Sequence, residues 1–188
     1  MSTLNTTNLK NASSGSNNIV LNTDGTTTIA APSNIIKSGT AVASTSGTSI
    51  DFTSIPSWVK RVTVMFQGMS LSGTNDFLFQ LGDSGGIENT NYLSAYTQFG
   101  TTSLGTANST SGFILSGGGA TRIIHGSIQF TNLTGNAWTA FGGSADETGT
   151  RTCFTAGSKT LSSTLDRVRI TASGADTFDA GSINIMYE

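Results

Sequence analysis

The sequence predicts an all-β protein: an antiparallel β-sandwich or jelly-roll-like domain, preceded by an extended N-terminal arm with a short hairpin. Two observations predict this class. Short runs in which apolar and polar residues alternate recur through the chain, and turn residues, including many of the 23 glycines, separate them. No segment carries the 3.6-residue apolar period and the terminal caps of a helix. A chain of 188 residues suits one domain of ordinary size with an added arm.

Residues 1–37 form the predicted arm, which is polar and nearly uncharged. Within it, Ile19 and Leu21 alternate with polar neighbours, and Asp24 and Gly25 are residues that accept the left-handed backbone of a tight hairpin turn. A hairpin this short is not stable alone, and ordering a polar terminus costs about 1–2 kcal/mol per residue in backbone entropy. We therefore expect the arm to bind a partner surface through its apolar residues Leu9, Ile19, Leu21 and Ile29.

Residues 38–188 form the predicted sandwich. The clearest strand follows Pro56, where Val62, Val64 and Phe66 alternate with polar or flexible residues, the two-residue period of a half-buried strand. We expect about eight antiparallel strands, with the last strand inside a sheet or covered by a neighbouring subunit. The same period recurs at Phe77, Phe79 and Leu81, at Ile124, Ile128 and Phe130, at Val168 and Ile170, and at Ile183, Ile185 and Tyr187.

The composition argues against several classes of function. Charged residues make up 11% of the chain, against about 25% in a typical soluble domain. The nine basic residues are dispersed, with only Lys60 and Arg61 adjacent, and the net charge is −2, which gives no electrostatic footprint for nucleic acid. No apolar run predicts membrane insertion, and the opening residues lack the apolar core of a secretion signal, so we expect synthesis in the cytoplasm. Cys153 is the only cysteine and cannot form an intrachain disulfide.

The string GDSGG at residues 82–86 matches the residues around the nucleophile of trypsin-like serine proteases. Those enzymes need a histidine and an aspartate upstream of the serine in chain order. The only histidine here, His125, lies downstream. We therefore interpret the string as a loop after the strand that contains Phe77 and Leu81.

Two further chemical candidates lack partners. His125 has no second histidine or cysteine beside it, as a metal site would require. Asp146 and Glu147 are adjacent and would point to opposite faces of a strand, so they cannot act as paired carboxylates in glycoside cleavage. We expect no catalytic residues, no metal and no cofactor, and hence a protein that is not an enzyme.

Aromatic residues offer contact surfaces instead. Tyr92, Tyr96 and Phe99 lie close together in the sequence and can form a stacking platform for sugar rings, which Trp138 can join. The alternative is that these rings belong to the core. Trp58 stands at the entry to the clearest strand, where its outer side can meet another subunit. The candidate receptor or subunit contacts are thus Trp58, Tyr92, Tyr96 and Trp138.

Two long segments, SIDFTSIPSWVKRVTVMFQGMSLSGTNDFLFQLGDSGG and LDRVRITASGADTFDAGSINIMYE, together resemble a domain that recurs in structural proteins of tailed bacteriophages and prophages, often labelled tail fibre proteins. The opening LKNASSGSNNIVLNTDGTTTI is similar to segments that precede such domains. The matching segments cover about half of the chain. They contain several residues at fixed spacing and no catalytic signature.

The resemblance implies a virion structural protein: a homotrimer whose residues 1–37 attach to other virion proteins and whose residues 38–188 form a β-rich outer domain. We expect a short tail fibre or fibre tip that recognises a glycan or protein of the host surface, because the chain has no room for the shaft of a long fibre. Capsid decoration is the alternative within this class. A secreted lectin or carbohydrate-active enzyme is the more remote alternative.

Overall fold

A computed structural model describes residues 8–9, 19–29, 36–101, 104–117 and 119–188. The chain divides into two compact units, Met1–Ile35 and Ile36–Glu188. The arm was predicted to end at residue 37. Both units are built from antiparallel β-strands, as the alternation of apolar residues indicates.

The first unit contains the predicted hairpin. Strands β2 (Ile19–Leu21) and β3 (Thr27–Ile29) pair antiparallel, and β1 (Asn8–Leu9) adds a third strand beside β2. Gly25 takes the left-handed backbone of the turn, with φ of +83°. Asp24 Oδ1 accepts hydrogen bonds from the Thr26 backbone N–H (2.9 Å) and the Thr26 hydroxyl (2.6 Å), which close the turn. The hairpin prediction is confirmed; β1 was not predicted, because two residues show no periodicity.

The described residues of the second unit form fourteen strands. Several have only two to four residues, which is why their number exceeds the eight or so that the sequence predicts. In chain order they are β4 (Lys37–Ser38), β5 (Val42–Ala43), β6 (Ser49–Phe52), β7 (Arg61–Leu71), β8 (Phe77–Asp83), β9 (Gly86–Ile87), β10 (Leu93–Gly100), β11 (Leu104–Ser109), β12 (Phe113–Leu115), β13 (Ile124–Thr134), β14 (Ala137–Asp146), β15 (Arg151–Thr160), β16 (Arg167–Ala172) and β17 (Phe178–Tyr187).

These strands form two sheets. The nine-stranded sheet has the order β11-β10-β15-β14-β13-β7-β17-β4, with β5 also paired to β17. The five-stranded sheet has the order β12-β8-β16-β6, with β9 paired to β8. The last strand, β17, lies between β7 on one side and the short β4 and β5 on the other. Its predicted place inside a sheet is confirmed, and the cover comes from the chain's own residues 37–43.

The core lies between the two sheets. Val62, Val64 and Phe66 of β7 are all buried, as the alternation predicts, and the Phe66 ring meets the Phe79 ring of the opposite sheet with centroids 5.9 Å apart. Burying these apolar side chains is the main favourable contribution to folding, at about 25 cal/mol per Å². The second unit is therefore a β-sandwich, and its described residues share a continuous apolar core.

Strand β8 departs from the predicted alternation, because all of its residues are buried. The segment before β12 covers its outer side: a Cβ at Gly112 would lie 3.1 Å from Gln80 Cγ and 3.2 Å from Leu78 Cβ. Gln80 Nε2 also donates a hydrogen bond of 2.8 Å to the Ser111 carbonyl. A loop from a distant part of the sequence thus buries a strand face that the local pattern leaves open.

Two leucine substitutions test whether the effect on the free energy of unfolding depends on burial, since they make the same chemical change at a buried and at an exposed position. Leu81 of β8 is 0% exposed, and Leu133 near the end of β13 is 72% exposed. We expect Leu81→Ala to lower the free energy of unfolding by about 2–5 kcal/mol, because it leaves a cavity in the core. Leu133→Ala, the matched control, should change it by no more than about 0.5 kcal/mol. Denaturant unfolding measures both, and equal losses would contradict the assigned core.

Candidate interaction surface

The GDSGG string forms a hairpin turn. Gly82 and Asp83 end β8, Ser84 and Gly85 make the turn, and Gly86 begins β9, which pairs back on β8. Asp83 Oδ1 accepts a hydrogen bond of 2.7 Å from the Gly85 backbone N–H. The Ser84 side chain is exposed. The predicted loop after this strand is confirmed.

His125 serves the backbone of its own sheet. It lies on β13, and its Nδ1 accepts a hydrogen bond of 3.2 Å from the Gly68 backbone N–H of β7. The bond falls beside the irregularity in the β13–β7 register between Ile124 and Gly126. Cys153 lies inside the sheet, and burial raises the pKa of its thiol to about 11, so the thiolate that reacts with electrophiles is scarce at neutral pH.

Asp146 organises the turn between β14 and β15. Its carboxylate accepts hydrogen bonds from the Thr150 N–H (2.9 Å), the Thr150 hydroxyl (3.0 Å), the Thr148 hydroxyl (3.1 Å) and the Arg151 N–H (3.2 Å). Burial opposes ionisation, but these bonds outweigh it and hold the pKa of Asp146 below its ordinary value. The neighbouring Glu147 is exposed. The two carboxylates therefore do not act as a pair.

A polar cleft of about 250 Å³ lies beside this turn. Arg122 enters its lining and donates hydrogen bonds from Nη1 to Gln98 Oε1 (2.8 Å) and Ser116 Oγ (3.2 Å). Arg151, Asp146 and Glu147 line the cleft as well. Two cations and two carboxylates balance in charge, so the cleft suits an uncharged polar group better than a phosphate.

A buried ion pair is the least predictable feature of the sandwich. Lys159 of β15 is buried, and its Nζ lies 2.5 Å from Glu88 Oε2. The same ammonium donates a hydrogen bond of 3.0 Å to the Thr90 carbonyl and lies 5.2 Å from the centre of the Tyr92 ring. All three contacts tie β15 to the segment between β9 and β10, and they occupy the amine, which is thus structural.

Ser162 extends this ion pair to Asp83. Its Oγ lies 2.8 Å from both Asp83 Oδ2 and Glu88 Oε1, and its backbone N–H donates to Glu88 Oε1 at 2.7 Å. Burial would raise the pKa of Glu88, but the hydrogen bonds from Lys159 and Ser162 outweigh burial and lower it. Both carboxylates stabilise the fold in their ionised form.

Two of the four predicted contact aromatics lie in the core. Tyr92 and Trp138 are almost completely buried. The Tyr92 hydroxyl accepts a hydrogen bond from the Leu81 N–H (2.7 Å) and donates one to the Glu88 carbonyl (2.9 Å), and its ring packs edge-on against Phe113. Neither ring presents a face to a sugar or to another subunit, so we assign both to the core, the alternative that the sequence left open.

The other two lie at the margin of the core. Trp58 is partly buried, with its ring centroid 6.1 Å from that of Tyr187. Tyr96 is also partly buried, and its hydroxyl donates a bond of 3.4 Å to Asp76 Oδ2. Both rings pack against the core and keep some solvent exposure.

The predicted attachment residues of the arm lie on its small sheet. Leu9 of β1 is opposite Ile19 of β2, and Ile19 is opposite Ile29 of β3. Leu21 is opposite Thr27. Ile19 is half-buried, and the Leu21 side chain is exposed.

The outer side of the nine-stranded sheet carries the largest exposed apolar side chains that share one face. Phe99 of β10, Leu104 of β11, Phe141 of β14 and Phe154 of β15 are 53%, 68%, 65% and 51% exposed. Leu104 is directly opposite Phe99, and the Phe99 and Phe154 rings meet edge-on with centroids 6.5 Å apart. Phe141 is opposite Ala156, two residues along from Phe154. These four side chains form a diagonal ridge across four adjacent strands.

We call the outward positions of these four strands the neutral face, because none of them is charged. Residues that are opposite in an antiparallel pair share a face, so register and burial together define the set. It consists of Leu93, Ala95, Thr97 and Phe99 of β10, Leu104, Thr106 and Asn108 of β11, Ala137, Thr139, Phe141, Gly143 and Ala145 of β14, and Thr152, Phe154, Ala156, Ser158 and Thr160 of β15.

The sequence analysis did not predict the neutral face, although the sequence contains one sign of it. In AWTAFGG, Trp138 and Phe141 are three residues apart, so a strand places them on opposite faces. A strand with a large aromatic on each face buries only one of them in a two-layer sandwich.

Among the described residues, no group of three His, Cys, Asp or Glu side chains can hold a metal ion, and no helix meets the length and apolarity of a membrane span.

The buried ion pair makes stability depend on pH. The pKa of Glu88 is lowered on folding, so its contribution is complete above the unfolded-state value near 4.5 and is lost as the pH falls through the lower folded-state pKa. Glu88→Gln leaves the buried Lys159 ammonium without a counter-charge and should cost about 3–5 kcal/mol at pH 7. Between pH 7 and pH 3 this variant should lose less further stability than the wild type.

Thermal unfolding at a series of pH values measures both effects. Glu147→Gln removes an exposed carboxylate and is the matched control, which should follow the wild-type curve. Parallel wild-type and Glu88→Gln curves would show that this ion pair has no part in acid stability.

Known proteins give no further guide to these surfaces. Comparison with protein-family models, with curated proteins and with solved structures finds no match to this chain.

Proposed function

We propose that this chain is a non-enzymatic structural protein of a tailed-phage virion. The observation that carries the proposal is that the reactive side chains and the exposed apolar side chains have different places in the structure. His125, Cys153, Asp146 and Lys159, which can do chemistry, are engaged in holding the fold, whereas large apolar residues remain exposed on a face without charges. Such a surface serves assembly better than catalysis.

Low charge suits a particle that passes through media of different salt content. Interactions between exposed charges weaken as ionic strength rises, whereas apolar contacts do not depend on ion pairs. The described residues contain four salt bridges, and in the sequence hydroxyl and amide side chains outnumber charged ones. Contacts made by this surface should thus tolerate wide changes in salt.

The arm, residues 1–37, attaches the protein to other virion proteins in this proposal. A three-stranded sheet with two or three residues per strand does not have the buried area to be stable alone. The exposed Leu21 and half-buried Ile19 then meet a second protein, and the contact compensates for the entropy lost on ordering.

Residues 38–188 form the outer domain of a short tail fibre or fibre tip, with loops that meet a glycan or protein of the host surface. The virion protein is a homotrimer, as the sequence resemblance implies. Capsid decoration is the close alternative, because the same architecture suits a protein that sits on the shell. A secreted lectin or carbohydrate-active enzyme is the alternative from another class, and the polar cleft at Arg122 and Arg151 is the feature that favours it.

Copy number separates these alternatives. Gel densitometry of purified virions against the major capsid protein should give a small number of copies, in keeping with a tail position. Hundreds of copies would place the protein on the capsid instead. Absence from virions, together with turnover of a polysaccharide by the purified protein, would reject the structural role in favour of the enzyme.

Deletion of residues 1–35, the first compact unit, tests the role of the arm and leaves β4 of the sandwich intact. The sandwich is a separate compact unit with its own core, so the truncated protein should keep its β-sheet circular dichroism spectrum and a cooperative thermal transition. It should fail to join virions in an incorporation assay. Full-length protein with Leu133→Ser, an exposed change in the sandwich, is the control and should be incorporated normally. Normal incorporation of the truncated protein would reject the attachment role.

A further inference from the structure

We propose that the neutral face is a docking surface for the same face of a second copy of this chain. The contact is isologous, so each residue of the patch meets the equivalent patch across a two-fold axis. The inference rests on the burial, charge and register of four strands. It does not depend on the virion assignment.

The neutral face exposes a large apolar area. Phe99, Phe141 and Phe154 are each half to two-thirds exposed, which amounts to roughly 350 Å² at about 200 Å² per side chain. Leu104 lies beside Phe99 and Leu93 lies on the same face of β10, and both enlarge the patch. The largest apolar patch on a typical monomer is about 300–600 Å² and is often functional. This face therefore reaches the size at which a partner is expected.

The absence of charge indicates which partner fits. A charged partner would lose hydration on binding and find no counter-charge on the neutral face, which is unfavourable. A partner must therefore be equally free of charge at its contact surface. The neutral face itself meets this condition in full, in a chain with 11% charged residues.

The shape of the face supports pairing with itself. The ridge of Leu104, Phe99, Phe154 and Phe141 crosses the strands diagonally, and small side chains flank it, namely Ala95, Ala145 and Ala156. The Phe154 ring leans over Gly143, where an added Cβ would lie 3.2 Å from Phe154 Cδ1. Two twisted sheets pack with their strands about 30° apart, so the ridge of one copy can lie in the channel of small side chains beside the ridge of the other.

The area available is sufficient for a stable contact. Four strands at about 4.8 Å spacing and about 27 Å length cover about 500 Å² in projection. The outward side of β13 and β7 continues the surface with Ser127, Gln129, Thr63 and Met65, and its one ionic residue, Arg61, stands at the end of β7 and pairs with Glu188. Six strands cover roughly 780 Å², close to the 800 Å² or so that each partner contributes to a specific interface.

The experiment measures the mass of the full-length protein in solution by light scattering over a range of concentrations. The wild type should have an even multiple of the 19.3 kDa chain mass. The double variant Phe141→Ser/Phe154→Ser should have half the wild-type mass, because it removes the centre of the ridge. Ile36→Ser, a substitution of a comparably exposed apolar residue that precedes β4 and lies outside both the neutral face and its continuation on β13 and β7, should keep the wild-type mass.

Each other outcome overturns the proposal. The first is a wild-type mass equal to one chain or to an odd number of chains. The second is a double variant that keeps the wild-type mass. The third is a control variant whose mass is also half that of the wild type. Circular dichroism checks that the double variant is folded. If it is not, Phe141→Lys decides, since it places like charges on both copies and should also halve the mass. An odd multiple in all variants would leave the homotrimer of the proposed function intact while it rejects the face-to-face contact.

Discussion

The alternation of side chains between the two faces of a strand governs this structure. In β7 the alternation separates apolar from polar residues, so Val62, Val64 and Phe66 fill the core and Thr63 and Gln67 face outward. In β14 it places a large apolar residue on each side: Trp138 points into the core, whereas Phe141 points away from it, as Phe154 of β15 also does. Packing two sheets together buries only one side of each, and no described segment covers Phe141 and Phe154 as the loop at Gly112 covers β8. The neutral face is the consequence of that limit.

Few charged groups are present, and several of them act inside the fold. Lys159 and Glu88 join β15 to the segment before β10, Ser162 links Glu88 to Asp83, and Arg169 forms a bidentate pair with Asp51 between β16 and β6, at 2.7 Å for both bonds. No buried side-chain nitrogen or oxygen among the described residues lacks a hydrogen-bond partner. Polar groups thus fix the positions of strands and loops relative to one another, which apolar packing alone specifies less well.

The sequence was sufficient to predict the features that depend on local spacing. The two-residue period identified β7, β16 and β17, and the Asp24–Gly25 pair identified the hairpin of the first unit. Features that depend on distant residues were not predictable from one sequence. Lys159 and Glu88 are far apart in the chain, the burial of Leu78 and Gln80 requires the loop at Gly112, and the choice between core and surface for Tyr92, Trp138 and Phe141 depends on which face of each strand meets the second sheet.

The strands at the rims of both sheets are short. β4 has two residues, β12 has three and β6 has four, and only β11, with six, offers a longer edge. Unpaired strand edges permit open-ended growth into fibrils, and short ones give an incoming chain few backbone groups to pair with. The short rims thereby limit the addition of a further chain to either sheet, even where many copies of the protein lie close together.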